Sequence, residues 1–277
     1  MTPLLSVLLV LVGGLFAGLV GSLTGLGGGL VIVPLLTLLL HMPVQQAVGV
    51  SLLGVIATSV GAAPRFVGTG LSNVRLALFL QVAASSGALL GALVAHKVPD
   101  RSLFLIFGLV MLYSAVMSFI PSKHDAMGAP TESRLAARLR LASHYRSGEA
   151  WIDYKVQGVA PAFAVMVGAG LLSAMLGIGS GVFKVLAMDK LMRLPFRVST
   201  ATSNFMIGIT AATSAGYYLS HGEVPPLVAA PVILGVLGGA YLGAHWVHHL
   251  PTPVLRRVFA AVLCFVAVDM LLKGFGV

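Results

Sequence analysis

One register of self-similarity constrains this chain more than any other feature. Displaced by 152 positions, Gly18 falls on Gly170, Gly25 on Gly177, Gly27 on Gly179 and Gly29 on Gly181. Further along, Pro43 meets Pro195, Ser51 meets Ser203, Thr58 meets Thr210, and Gly70 meets Gly222. Gly87 then meets Gly239, Gly91 meets Gly243, and Pro99 meets Pro251. Scattered glycines would not hold one offset over a whole half by chance. The chain is read as a duplicated unit, residues 1–120 and 158–277, joined by a linker at 121–157.

The medium follows from composition. The 277 residues are 58% hydrophobic and only 9% charged, whereas a soluble domain carries about 25% charged residues. Leu4–Val20, Val44–Ala62, Val74–Ala95, Leu103–Ile120, Pro161–Met175 and Val224–His245 are near the roughly 20 apolar residues that cross a bilayer core. The 33 glycines suit close packing of such helices. The expected fold is an all-α polytopic membrane protein, with two inverted repeats of about five transmembrane or re-entrant helical segments each. In the first half the segments are roughly 4–22, 28–40, 44–63, 74–96 and 102–120. In the second they are roughly 160–175, 181–192, 198–219, 225–247 and 253–272. The second segment of each half is short and follows a glycine cluster. Such a matched pair of interrupted segments is the best pointer in a sequence to a transporter binding site.

An odd number of crossings per half turns the copies upside down relative to each other. One face then collects Arg65, Arg75, Lys123, Arg134, Arg138, Arg140, Arg146, Lys155, Lys190, Arg193, Arg197, Arg256 and Arg257. The other collects Lys97, Arg101 and Lys273. By the positive-inside rule the first face is cytoplasmic, so both termini lie outside and the linker inside. The matched loops agree: His41–Gln46 has no Lys or Arg, whereas its counterpart carries Lys190, Arg193 and Arg197. No Lys or Arg precedes Leu4, so the first run is expected to stay in the mature protein. In the polar linker, Leu135, Leu139 and Ala142 fall at i, i+4 and i+7 among arginines. That pattern reads as a basic amphipathic helix on the cytoplasmic leaflet, with a regulatory docking site as the alternative.

Gly25-Leu26-Gly27-Gly28-Gly29 and Gly177-Ile178-Gly179-Ser180-Gly181 are the first candidate site. A glycine cluster opening a short intramembrane helix exposes unpaired N–H groups at the positive end of the helix dipole, which favours an anion. Close helix packing also demands glycine; the doubling of the cluster favours a site. Lys184, three residues past Gly181, is an ionisable residue in an apolar segment and stands opposite Ile32. Substrate contact, snorkelling and a salt bridge with Asp189 are the readings open to it. Thr202-Ser203-Asn204, matched to Val50-Ser51-Leu52, either lines a polar cavity or bonds to the backbone one turn back. The expected substrate-binding set is Gly27, Gly28, Gly29, Ser51, Gly179, Ser180, Gly181, Lys184, Thr202, Ser203 and Asn204. Ser22, Thr24, Thr58, Ser59, Gln81 and Thr210 are weaker candidates.

Other chemistry is thinly represented. Asp269 reads as interfacial rather than as a proton-relay carboxylate. His245, His248 and His249 lack a neighbouring carboxylate ligand, so no metal is expected. Cys264 is single, which rules out a disulfide framework. The sequence has no G-x-x-x-x-G-K-[ST] loop, H-E-x-x-H or nucleophile–base pattern. No catalytic residues and no cofactor are expected. The formal charge of +9 sits in loops, where it reports topology and lipid contact rather than nucleic-acid binding.

Gly25–Pro34, GLGGGLVIVP, and Gly177–Leu186, GIGSGVFKVL, resemble the TauE/SafE family of membrane transporters. Leu194–Gly208, LPFRVSTATSNFMIG, is similar to that family's second-half pattern. The resemblance covers both halves and spares the linker. It implies a secondary transporter, an exporter of sulfite, an organosulfonate or a related sulfur-containing anion, by alternating access around the glycine-lined short helices in the cell inner membrane. A proton or sodium ion is the candidate coupling ion, and a homo-oligomer is compatible with the reading. Passive anion channel and membrane-embedded metal-dependent enzyme are the alternatives. Two departures from the pattern, Ser180 for the middle glycine and Leu186 for proline, lead one to expect a differently shaped second cluster.

Overall fold

The computed structural model describes residues 3–95, 99–119, 131–147, 150–177, 179–247 and 250–275. Lys97, Lys123, Ile178, His248 and His249 lie outside them. The first half forms α1 (Pro3–Thr24), α2 (Gly29–Leu39), α3 (Val44–Gly68), α4 (Val74–Ala95) and α5 (Asp100–Phe119). The second forms α7 (Val159–Leu176), α8 (Gly181–Leu186) running into a π-helical turn at Ala187–Leu191, α9 (Phe196–Ser220), α10 (Pro226–Trp246) and α11 (Thr252–Phe275). Six of these are long and apolar enough to cross a membrane: α1, α3, α4, α7, α10 and α11. The protein is an almost purely helical, multi-pass membrane protein. Its apolar side chains turn outward as well as inward. Phe16 on α1, Val82 on α4, Leu234 on α10 and Phe265 on α11 are all more than half exposed, as lipid contact allows.

The same register of 152 recurs in the packing. A Cβ on Gly18 would fall on the carbonyl of Val236, and one on Gly170 on the carbonyl of Ala84. Gly87 lies against the carbonyl of Val167, and Gly239 against that of Leu15. Gly91 and Gly243 do the same with Leu171 and Leu19. Every contact between α1 and α10 in this set has its counterpart between α7 and α4. In lipid, helix association depends on such close backbone approach rather than on expulsion of water. The pair α5 and α11 packs closely where a Cβ on Gly108 would strike Leu271 and one on Gly274 would strike Leu105.

The conformational exceptions repeat as well. Positive φ occurs at Gly25 and Gly177, Gly27 and Gly179, Gly28 and Ser180, His41 and Arg193, and Gly70 and Gly222. Ser180 thus takes the conformation of Gly28, φ 56° against 70°, which corrects the expectation of a differently shaped second cluster. The left-handed conformation costs a residue with a Cβ roughly 1–2 kcal/mol. Its side chain meanwhile donates to the carbonyl of Gly179 at 2.7 Å. The halves differ later: α2 continues through Pro34 as an α-helix, whereas α8 passes into the π turn just past Leu186.

The linker differs from the expected amphipathic helix. Helix α6 spans only Arg134–Arg138, N-capped by Ser133, whose hydroxyl accepts from the Ala136 amide. Arg140 then turns to φ 52° and ends the period before Ala142. An antiparallel hairpin follows, β1 (Ser143–Ser147) with β2 (Ala150–Tyr154). Leu141, Tyr145, Tyr154 and Val156 are buried in the main core, and the chain is pinned where the Gln157 amide donates to Met192. The linker docks onto the helices with its own apolar face; Leu135, expected to mark that face, stays exposed.

Candidate functional site

The two glycine turns meet at the middle of the molecule, held by a pair of crossed hydrogen bonds. Ser51 on α3 donates to the carbonyl of Gly177 at 2.7 Å. Ser203 on α9 donates to the carbonyl of Gly25, also at 2.7 Å. Each half's central helix therefore secures the other half's turn, and the two bonds exchange under the 152-residue offset. Secondary contacts follow the same rule: Ser51 lies 3.3 Å from the Gly29 carbonyl, and Ser203 lies 3.4 Å from that of Gly181.

Glycine is required here by space as well as by φ. A Cβ on Gly29 would lie 2.7 Å from the Gly177 carbonyl, and one on Gly181 would overlap the backbone of Gly25 and Leu26. One on Gly27 would lie 2.8 Å from Ile207 and 3.1 Å from Val55, and one on Gly179 would also strike Val55. The expectation of glycine-lined helix ends brought together is met, with Gly27, Gly28, Gly29, Gly179, Ser180 and Gly181 all buried. Among the described residues the space between them is filled rather than open. Val55 and Ile207, both fully buried, fill the space between the turns. In this conformation the turns pack on one another, and the glycines are accounted for by that packing.

The α9 residues do neither of the two things expected of them alone. Thr202 Oγ1 accepts from the Asn73 amide at 3.0 Å, and Ser203 crosses to Gly25. Asn204 Nδ2 donates to Ser22 O at 2.8 Å and to Thr200 O, one turn back, at 3.1 Å. Its Oδ1 is buried without a partner among the described residues. From the other side, Ser59 donates to the Asn204 carbonyl at 2.7 Å. The stretch clamps α1, α3 and the α3–α4 turn against α9.

Lys184 breaks the repeat. In the first half Thr58 donates to Gly54 O at 3.1 Å and reaches Gly27 O at 3.0 Å. In the second, Thr210 makes the equivalent bond to Met206 O at 3.1 Å, but its hydroxyl accepts from Lys184 Nζ. The Gln81 amide lies 3.0 Å from Thr210 Oγ1 and 2.7 Å from Ser85 Oγ, extending the network toward α4. Lys184 has no exposed surface and is the one fully buried cation among the described residues. Snorkelling is therefore excluded. Asp189, its expected salt-bridge partner, lies 3.5 Å from Lys190. Asp269 pairs with Lys273 at 3.1 Å, and Lys273 also donates to Thr37.

A second cluster escaped the sequence. Asn73 Oδ1 accepts from the Leu76 amide, capping α4. Its Nδ2 donates to Leu141 O at 2.8 Å and to the Tyr154 hydroxyl at 3.0 Å, both in the linker. Ser72 donates to Ala201 O. The Ser72-Asn73 pair ahead of an apolar run signals a cap, but nothing in its spacing reveals the two partners 68 and 81 residues away.

Residues 10–270 match the profile of the family described as Sulfite exporter TauE/SafE. The probable membrane transporter protein YunE of Bacillus subtilis (strain 168) is 29% identical, covering 98% of this chain and 99% of its own. A second protein of that organism, the probable membrane transporter protein YdhB, is 27% identical over 86% of this chain and 89% of its own. A probable membrane transporter protein of Haemophilus influenzae is 26% identical over 96% and 98%. No solved structure matches the chain. The family match spans both halves, the two glycine turns and the α9 clamp, and the chain belongs to the TauE/SafE family of membrane transporters.

Proposed function

We propose that this chain is a secondary transporter that exports a small anion, sulfite, an organosulfonate or a related sulfur-containing anion, across the cell inner membrane. It is not an enzyme. The two halves act as inverted repeats, with both termini outside and the linker in the cytoplasm. Alternating access works by parting the two glycine turns: the Ser51 and Ser203 bonds break, Val55 and Ile207 withdraw, and the amides at the starts of the short helices face the anion. The packed arrangement described above is then the occluded state of the cycle.

The observation that carries this reading is Lys184. A fully buried amine on the helix that begins at Gly181, resting on a neutral threonine, places one ionisable group where lipid and protein exclude water. Intramembrane ionisable residues are expensive and mark substrate or ion pathways. An anion arriving between the turns would favour the protonated form of that amine and pair with it. Ser51, Ser203, Thr58 and Thr210 are the hydroxyls released to it once the turns separate.

The test is binding and flux on purified protein, with sulfite, thiosulfate, sulfoacetate and simple carboxylates offered to proteoliposomes. Concentrative uptake or efflux of one anion class is expected, with an imposed proton or sodium gradient driving it. Lys184→Ala and Gly27→Val should lose it. A folded Lys184→Ala protein with normal flux would remove the site. Flux that no opposing gradient can drive uphill would instead identify a passive channel.

A further inference from the structure

The C-terminal half of α3 forms a ridge between two apolar grooves. One, of about 760 Å³, lies between α3 and α9 and is lined by Ile56, Ala63, Val67, Phe205 and Ile209. The other, of about 610 Å³, lies between α3 and α10 and is lined by Gly61, Arg65, Leu237, Gly238 and Tyr241. Val60 and Pro64 border both. Gly238 opens onto the second groove, where a Cβ would meet nothing within 4 Å. Val60, Leu234 and Tyr241, at 61%, 64% and 64% exposure, open the grooves to the lipid side of the bundle.

The charged end of this ridge is specific. Arg65 stands three residues before the end of α3, and its Nε is buried with no hydrogen-bond partner among the described residues. An unpaired buried donor is costly, more so when charged. Arg75 and Arg140 gather at the same end, where Arg75 Nη1 donates to Arg140 O at 3.1 Å. Basic pockets between transmembrane helices bind anionic lipid headgroups, and a tyrosine at that level suits the headgroup region.

We infer that α3 holds an anionic two-chain phospholipid, one acyl chain in each groove and the phosphate on Arg65. Two grooves divided by a single-helix ridge match two chains diverging from one headgroup, and the guanidinium supplies the charge complement and gains the missing acceptor. The site is independent of the transported anion, since it faces lipid and shares no residue with the glycine turns.

The experiment equilibrates the full chain with vesicles of equal phosphatidylglycerol and phosphatidylcholine, then reads retained lipid by native mass spectrometry. The wild type should retain phosphatidylglycerol about fivefold over phosphatidylcholine, the ratio expected for one basic residue at the membrane surface. Arg65→Gln should bring that ratio near one, and Arg65→Lys should keep most of it. Equal retention by the wild type overturns the inference, as does a preference unchanged in Arg65→Gln. Should Arg65→Gln fail to fold, Gly238→Leu decides: filling the groove must lose the bound lipid, and undiminished retention overturns the site.

Discussion

Ser203 on α9 donates to the carbonyl of Gly25, 178 residues earlier in the chain, and fastens the first half's glycine turn to the second half's central helix. Ser51 and Gly177 form the matching bond. Both hydroxyls are buried. Ser203→Ala and Ser51→Ala should each destabilise the protein by about 1–3 kcal/mol, because a buried carbonyl is left unsatisfied. Thermal unfolding in detergent checks this. A double variant that loses less than the sum of the two would show that the bonds form one latch, since contacting groups are not additive.

The glycines separate into those that packing requires and those it does not. Gly181→Ala places a methyl on the backbone of Gly25 and Leu26, where neither atom can move aside as a side-chain tip would. Gly168→Ala, on α7, meets nothing within 4 Å and replaces a weak helix former with the best one. The first should abolish accumulation of folded protein. The second should leave folding and flux at the wild-type level or slightly raise stability. Fluorescence-detected size-exclusion chromatography distinguishes them, and equal behaviour of the two variants would contradict the crossing of the turns.

Much of this arrangement is legible in the sequence because it is periodic. The offset from Gly18–Gly170 to Gly91–Gly243 marks contacts that the structure repeats pair by pair, and the two short segments announce the turns. What the sequence concealed is long-range pairing between polar groups. Ser203 reads equally as a cavity residue or as a helix back-bonder, and only the fold supplies Gly25. The linker misled for a related reason: Leu135, Leu139 and Ala142 keep a helical spacing, yet Leu135 stays exposed and the fully docked residues include Leu141, ahead of the hairpin, and Tyr145 and Tyr154 on it. Val55 and Ile207, which close the gap between the turns, look like any other apolar helix positions until the turns are placed against them.

Lys184 separates folding from transport. Its amine is buried against Thr210, so replacing it with an apolar side chain of similar length removes a desolvated amine and leaves Thr210 still bonded to Met206. Removing it relieves the cost of burying an amine in an apolar segment. Lys184→Met should therefore accumulate and melt at or above the wild-type temperature while losing anion flux. Normal flux in a folded Lys184→Met protein would leave the amine without a part in recognition.

The linker gives a pH dependence with a defined sign. Burial pushes the Tyr154 phenol up to about 12 from its ordinary value of 10.0, and Asn73 donates to its oxygen at 3.0 Å. The folded state thus favours the protonated phenol. The resulting stability is complete below the unfolded value near 10 and is lost as the pH rises from there through 12. Docking of the hairpin should weaken over that range, read as protease cleavage within 131–157 after brief exposure to stepped alkaline pH. Tyr154→Phe removes the titration, so its cleavage should vary less with pH across the same steps. Asn73→Ala removes the donor to both Leu141 and Tyr154 and should raise cleavage already at neutral pH. Because the Asn73 Oδ1 also accepts from the Leu76 amide and caps α4, that variant should in addition lower the melting temperature, whereas Tyr154→Phe should lower it little.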